Sequence, residues 1–69
     1  MKIVRKLTDD CKGGDCPAVY ATDRGTLVIQ GYVLDSVAVR QLTLPSGESA
    51  VEVPAELLLA AARRVTAAE

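Results

Sequence analysis

Cys11 and Cys16 are the residues of this 69-residue chain whose type and spacing are best suited to chemistry. Four residues lie between them, and two of these are the pair Gly13-Gly14, which lets a short loop close. Two thiolates are half of the ligand set of a structural zinc site, so the other ligands would have to come from a second copy of the chain or from nearby carboxylates. The candidate carboxylates are those of Asp9, Asp10 and Asp15.

The same two cysteines have two further interpretations. They predict a reversible disulfide that acts as a redox switch, or a simpler arrangement in which Cys16 is buried on a strand and Cys11 has no role.

No apolar run approaches the roughly 20 residues of a membrane span, and the first residues lack the hydrophobic region of a signal peptide. We therefore expect a cytoplasmic protein without a membrane contact or a cofactor, whose cysteines are thiols rather than a structural bridge.

The chain contains no histidine, which excludes Ser-His and Cys-His catalysis and every metal site that uses imidazole. We therefore expect a protein that is not an enzyme. The formal net charge is −1, so the sequence lacks the broad positive surface on which nucleic-acid binding depends. Direct nucleic-acid binding is not expected, although a local basic patch made of Lys2, Arg5 and Lys6 leaves an antitoxin-like DNA-binding dimer as an alternative.

Tyr20, Arg24 and Tyr32 are the residues whose types are most frequent at the energetic centres of protein interfaces. The two tyrosines are the chain's complete set of aromatic residues, and Arg24 lies at the tip of a predicted hairpin. The three residues predict a partner-binding patch. Alternatively, the tyrosine rings complete a small core.

The hydrophobic pattern predicts an α+β fold, in which a small antiparallel sheet of three to five strands carries a C-terminal helix packed on it. Residues 1–7, 16–22, 26–34 and 49–53 have the composition or the alternation of strands. Asp23-Arg24-Gly25 predicts a tight hairpin turn with a positive φ at Gly25. The apolar run at residues 26–34 predicts the central strand, covered on much of both faces, with a bulge or a close backbone approach at Gly31.

The second half of the chain combines helix and turn signals. Asp35-Ser36 is a typical helix cap, but the following valines favour a strand, so residues 37–42 are either a short helix or a strand. Residues 44–48 predict a turn. Pro54 predicts the start of a helix that extends to about residue 66. The whole chain, residues 1–69, is predicted to be a single small domain.

One segment resembles a known family. The order of Cys16-Pro17-Ala18-Val19, a hairpin, an aliphatic strand, a late strand and a helix start at Pro54-Ala55-Glu56 is similar to the actinobacterial domain of unknown function 397 family. The similarity covers roughly residues 15–65. The chain has Leu57-Leu58 where that family commonly has a tryptophan. Residues 42–53 also resemble the closing strand of swapped-hairpin antitoxin DNA-binding domains.

The resemblance implies a small non-enzymatic protein that acts with a helix-turn-helix transcription regulator. Cys16 and Val19 are the matching positions, and the family assigns neither a chemical role. Together with a hydrophobic core that is small for independent stability, this predicts a protein-binding accessory factor, with a homodimer as a further possibility. The alternatives are the antitoxin-like DNA-binding dimer and a thiol redox or zinc sensor built on Cys11 and Cys16.

Overall fold

The computed structural model of the protein describes residues 1–9 and 16–67, and these residues form an α+β fold. A three-stranded antiparallel sheet is followed by a separate two-stranded sheet and a C-terminal helix, which confirms the predicted fold class. In chain order the elements are β1 (Ile3–Lys6), β2 (Ala18–Thr22), β3 (Leu27–Gln30), β4 (Tyr32–Val33), α1 (Ser36–Arg40), β5 (Val51–Glu52) and α2 (Ala55–Ala67).

β2 is the central strand of the larger sheet, with β1 on one side and β3 on the other. The hairpin between β2 and β3 turns at Gly25, whose φ of 73° belongs to the left-handed region that glycine adopts without a steric penalty. The backbone N–H of Thr22 donates to the carbonyl of Thr26 at 3.0 Å, and the two threonine hydroxyls lie 2.7 Å apart. The predicted hairpin turn and its positive φ are therefore confirmed.

The prediction of a single central strand over residues 26–34 is wrong. That run divides into β3 and β4, which belong to different sheets, and β3 is an edge strand with mostly exposed side chains. The division occurs at Gly31, where an added Cβ would lie 2.6 Å from the carbonyl oxygen of Glu52. The expected close approach at Gly31 is confirmed, and it joins the end of the first sheet to β5.

The hydrophobic core lies between the larger sheet and α2. Its fully buried members are Leu7, Val19 and Ala61, which bring together the end of β1, the middle of β2 and the middle of α2. Leu57 and Val65 pack against this cluster from positions one turn before and one turn after Ala61, because residues four apart share one face of a helix. The predicted packing of the C-terminal helix on the sheet is thus confirmed.

Polar contacts fix the chain where it leaves β1. Leu7 donates its N–H to the carbonyl of Val19 at 2.8 Å, and the hydroxyl of Thr8 accepts the N–H of Val19 at 3.2 Å. Arg64 of α2 reaches the same place, where its guanidinium donates to the carbonyl of Leu7 at 2.9 Å and to the carboxylate of Asp9 at 2.8 Å. These bonds hold the C-terminal part of α2 on the sheet.

Residues 36–40 form a helix, which settles the open choice between helix and strand. The carboxylate of Asp35 accepts the N–H of Ala38 at 2.8 Å and caps α1. A turn follows, in which Glu48 donates its N–H to the carbonyl of Pro45 and Gly47 has a φ of 91°. The strand predicted over residues 49–53 is shorter than expected, because β5 contains two residues.

Candidate partner-binding site

Exposed aliphatic side chains are the most distinctive surface feature of the described residues. Four hydrophobic residues are buried there, whereas fourteen large hydrophobic residues are exposed. A scattered exposed leucine needs no explanation, but a contiguous apolar surface on a small protein marks an interaction site. The positions of these side chains therefore decide whether they form an interaction surface.

Several of them line one groove of about 530 Å³ between α1, β5 and the first turns of α2. Its apolar walls are formed by Leu34, Ala38, Leu42, Val51, Val53 and Leu58. Gln41 and Glu52 add polar groups to the lining. We call this surface the aliphatic groove.

The local sequence explains why the groove stays open. α1 is five residues long and buries none of its side chains, and β4 and β5 have two residues each. Elements this short cannot cover one another's apolar faces. Two of the lining residues, Ala38 on α1 and Ala50 just before β5, have small side chains that fill little of the space.

Leu58 shows how α2 contributes to both surfaces. Its neighbour Leu57 packs on the core, but Leu58 points about 100° away around the helix and is 43% exposed at the groove. The apolar stripe on α2 is therefore wider than the three-stranded sheet can cover. One side of the stripe stabilises the fold, and the other side lines the aliphatic groove.

The segment that contributes most of the groove lining is acidic. Residues 31–56 carry four carboxylates and one guanidinium, which gives this segment a net charge of −3. The carboxylates belong to Asp35, Glu48, Glu52 and Glu56, and the guanidinium belongs to Arg40. By contrast, residues 1–9 and 16–30 have four basic and two acidic side chains, a net charge of +2. These two parts of the chain therefore differ in charge.

The structure does not place the three predicted interface residues in one patch. Arg24 lies at the tip of the β2–β3 hairpin, whereas Tyr32 lies beyond the opposite end of β3, on β4. Tyr20 is half-buried on β2, and its hydroxyl donates to the side-chain oxygen of Gln30 at 3.3 Å. Tyr32 is 52% exposed, so it remains available to a partner. Partner binding by these three residues stays a prediction.

Cys16 corrects one expectation. It was predicted to be a thiol, but it is disulfide-bonded in the structure. Cys11 and the Gly13-Gly14 pair lie outside the described residues. The expectation of a thiol rested only on the reducing environment of the cytoplasm. That argument takes no account of the local chain around Cys16, which lies just before β2.

Zinc binding by Cys11 and Cys16 stays a prediction. A disulfide sulfur carries no thiolate, so Cys16 would have to be reduced before it bound zinc. Within residues 1–9 and 16–67, the structure brings together no group of three or more cysteine and carboxylate side chains that could hold a metal. The carboxylate of Asp9, proposed as a further ligand, pairs with Arg64.

Comparisons with known proteins found no match: no protein-family model, no curated protein and no solved structure corresponds to the chain. In the part of the chain that the structure describes, no helix has the length and apolar character of a membrane span.

The aliphatic groove was missed by sequence reasoning. Leu34, Leu42, Val51 and Val53 were assigned to strands or an undecided element, and Leu58 was assigned to the core-facing stripe of the last helix. One signal could have found them. The residues predicted to form the apolar stripe of the last helix, Leu57, Leu58, Ala61, Ala62 and Val65, make a wider stripe than a small sheet covers.

Proposed function

We propose that this protein is a non-enzymatic accessory factor that binds another protein through the aliphatic groove. The observation that carries the proposal is the groove itself, where leucine and valine side chains from three elements line one exposed surface. Removing such side chains from water is the main favourable contribution to protein association. Burial of about 25 cal/mol per Å² makes each leucine that a partner covers a substantial contribution.

The finer parts of the proposal have different support. The absence of histidine supports a non-enzymatic role, and the resemblance to the domain of unknown function 397 family supports a helix-turn-helix transcription regulator as the partner. We place the protein in the cytoplasm on the sequence grounds given above. Tyr32 on β4 and Arg24 at the hairpin tip are proposed as additional contacts outside the groove.

Site-specific photocrosslinking tests this function. A photoreactive amino acid replaces Leu42 inside the groove or, as a matched control, Val4 on β1; these side chains are 48% and 56% exposed. In the cells that produce the protein, we expect a discrete crosslinked partner at position 42 and not at position 4. Identical crosslinks at the two positions, or none at position 42, would contradict a partner site in the groove.

The identity of the crosslinked protein tests the finer proposal. Mass spectrometry that finds a helix-turn-helix regulator supports it, and a partner of another class rejects that part alone. The contact is then rebuilt from the two purified proteins. Leu58→Asp, which places a charge in the groove without touching the buried cluster, is expected to abolish the complex.

A redox switch is a second candidate function, favoured by the disulfide at Cys16. Cytoplasmic disulfides in most organisms are transient and catalytic or redox-sensing, so the bond and the proposed location together support a sensor. Rapid acid quenching of cells, followed by thiol alkylation, measures the oxidised fraction before and after mild peroxide. A fraction that rises on oxidation and falls during recovery supports the switch, whereas a constant fraction rejects it.

A further inference from the structure

We infer that the occupant of the aliphatic groove is a basic amphipathic α-helix of the partner protein, which presents aliphatic side chains to the groove and Lys or Arg side chains to its surroundings. This inference rests on the proposed function and adds the chemistry and the conformation of the bound segment. Three observations carry it: the apolar lining, the shortness of the neighbouring strands, and the charge of the segment that forms the groove.

The apolar lining requires aliphatic side chains from the partner. Leu42, which follows the C-terminal cap of α1, and Leu58 on α2 are 48% and 43% exposed and line the groove, while Val51 is 40% exposed on β5. These side chains offer no hydrogen bond, so a polar peptide would lose its water without compensation. An aliphatic partner surface gains from the same exchange.

The conformation of the partner follows from the elements around the groove. An extended peptide binds a sheet edge through a series of main-chain hydrogen bonds, but β4 and β5 are two residues long and offer too few of them. The groove is instead walled by side chains on both sides, α1 on one and β5 on the other. A helix fits such a surface, because side chains at positions i, i+3, i+4 and i+7 lie on one face.

The charge of the groove-forming segment selects a basic helix. Residues 31–56 have a net charge of −3, and Glu52 lies in the groove lining itself. The flanks of an amphipathic helix lie beside the rim, where opposite charges increase the association rate and like charges suppress binding. A basic helix is therefore favoured over an acidic one, while Arg40 is the single basic side chain of the segment.

Two synthetic peptides test the inference. Both are helical, about 15 residues long, and carry leucines at i, i+3, i+4 and i+7. One has lysines at the flanking positions and the other has glutamates. With the isotope-labelled, purified protein, we expect the lysine peptide to bind at least about ten-fold more tightly, and its amide shift changes to centre on Leu42, Val51 and Leu58.

The double variant Glu48→Lys and Glu52→Lys provides the reciprocal control. It changes the segment from acidic to basic and leaves the apolar lining in place, so we expect it to prefer the glutamate peptide. The preference of the unmodified protein should also weaken as salt is raised, because exposed charges are screened. Arg5→Glu, at an exposed position on β1 of the other sheet, should leave the preference for the lysine peptide unchanged.

Several outcomes would overturn the inference. Equal binding of the two peptides would show that charge does not select the partner. Failure of both peptides to bind would show that the occupant is not such a helix. Shift changes away from the groove place the site elsewhere, and dimerisation that covers the groove identifies a second copy as its occupant. Photocrosslinking of a partner at position 42 combined with failure of both peptides would reject this inference and leave the proposed function intact.

Discussion

The two halves of the molecule use similar aliphatic residues with opposite results. Leu7, Val19 and Ala61, in the larger sheet region and α2, are almost completely buried. Between residues 32 and 52, by contrast, no residue is buried, although that segment includes Tyr32, Val33, Leu34, Val37, Val39, Leu42, Leu44 and Val51.

Element length, rather than hydrophobic composition, decides which side chains are buried in this molecule. β2 has five residues and a partner strand on each side, so its side chains contact α2 over several positions. The elements between Tyr32 and Glu52 contain two, five and two residues. These short elements leave their aliphatic side chains exposed, and they provide most of the candidate binding surface.

The largest expected effect on stability comes from the half of the molecule that contains the buried cluster. Leu7→Ala removes a side chain that is 1% exposed and leaves a cavity, so we expect a loss of roughly 3 kcal/mol in the free energy of unfolding. Val33→Ala, at a position that is 91% exposed, should change it by less than about 0.5 kcal/mol. Urea unfolding followed by circular dichroism measures both. Similar losses for the two variants would show that the contrast in burial does not describe their energetics.

The next largest effect is expected at Gly31, where the end of the larger sheet contacts β5. Gly31→Ala places a Cβ against the carbonyl of Glu52, so we expect a loss of roughly 1–3 kcal/mol and weaker β4–β5 pairing. Hydrogen exchange should increase for the two amides that pair β4 with β5 and remain slow for the amide of Val19. Equal increases at all three amides would instead show one cooperative unit.

Gly25→Ala is the matched control for that substitution. Gly25 has a positive φ but open space around it, so the added Cβ strains the hairpin without a clash. We expect faster exchange in β2 and β3 and little change in β5. Disturbance of β5 by both variants would mean that strain is transmitted through the whole molecule.

Local patterns in the sequence were sufficient to predict the turns, the extent of the C-terminal helix and the class of fold. Gly25, Gly47 and Pro54 act through their own backbone geometry, which is why their roles were visible in advance. The central strand was assigned wrongly because hydrophobicity and β-propensity do not specify which strand has two neighbours. The strongest aliphatic run became an edge strand and a separate short one.

The candidate site was less predictable than the fold, for a physical reason. Tyr20, Arg24 and Tyr32 were selected by residue type, but an interface also requires proximity in space. Arg24 and Tyr32 lie beyond opposite ends of β3. The aliphatic groove arises from the opposite situation. Leu42, Val51 and Leu58 are ordinary core residues by type, and they form a surface because three distant segments meet without covering one another.

A moderate effect is expected at the contact between α2 and the end of β1. Arg64→Met keeps much of the aliphatic stem but removes the hydrogen bonds to Leu7 and Asp9, for an expected loss of roughly 1 kcal/mol. The arginine and aspartate side chains are 47% and 84% exposed, so the ion pair itself contributes little of this. Arg63→Met, at the exposed preceding residue, should cost less than about 0.5 kcal/mol.

Salt dependence separates the two contacts of Arg64. If the bond to the Leu7 carbonyl dominates, the difference in unfolding free energy between Arg64→Met and the unmodified protein should persist in high salt. A difference that disappears in high salt would assign the effect to the Asp9 ion pair. Equal losses for Arg63→Met and Arg64→Met would contradict a specific role for either contact.

The smallest effect on stability is expected at the cap of α1, in the half of the molecule that has no buried residues. The same substitution also tests whether α1 is needed for binding in the groove. Asp35→Ala removes the cap of α1 and should cost about 0.5–1 kcal/mol locally, while Asp35→Asn keeps an acceptor for the N–H of Ala38. Because α1 forms one wall of the groove and is not part of the buried cluster, we expect faster exchange of the Ala38 and Val39 amides with little change in the urea midpoint. Both variants remove one of the carboxylates that favour the lysine peptide, so affinity should fall in each. It should fall further in the alanine variant, which also loses the cap of α1. A lower urea midpoint of the same size as the local effect would show that α1 supports the core, and the two halves would then no longer be energetically distinct.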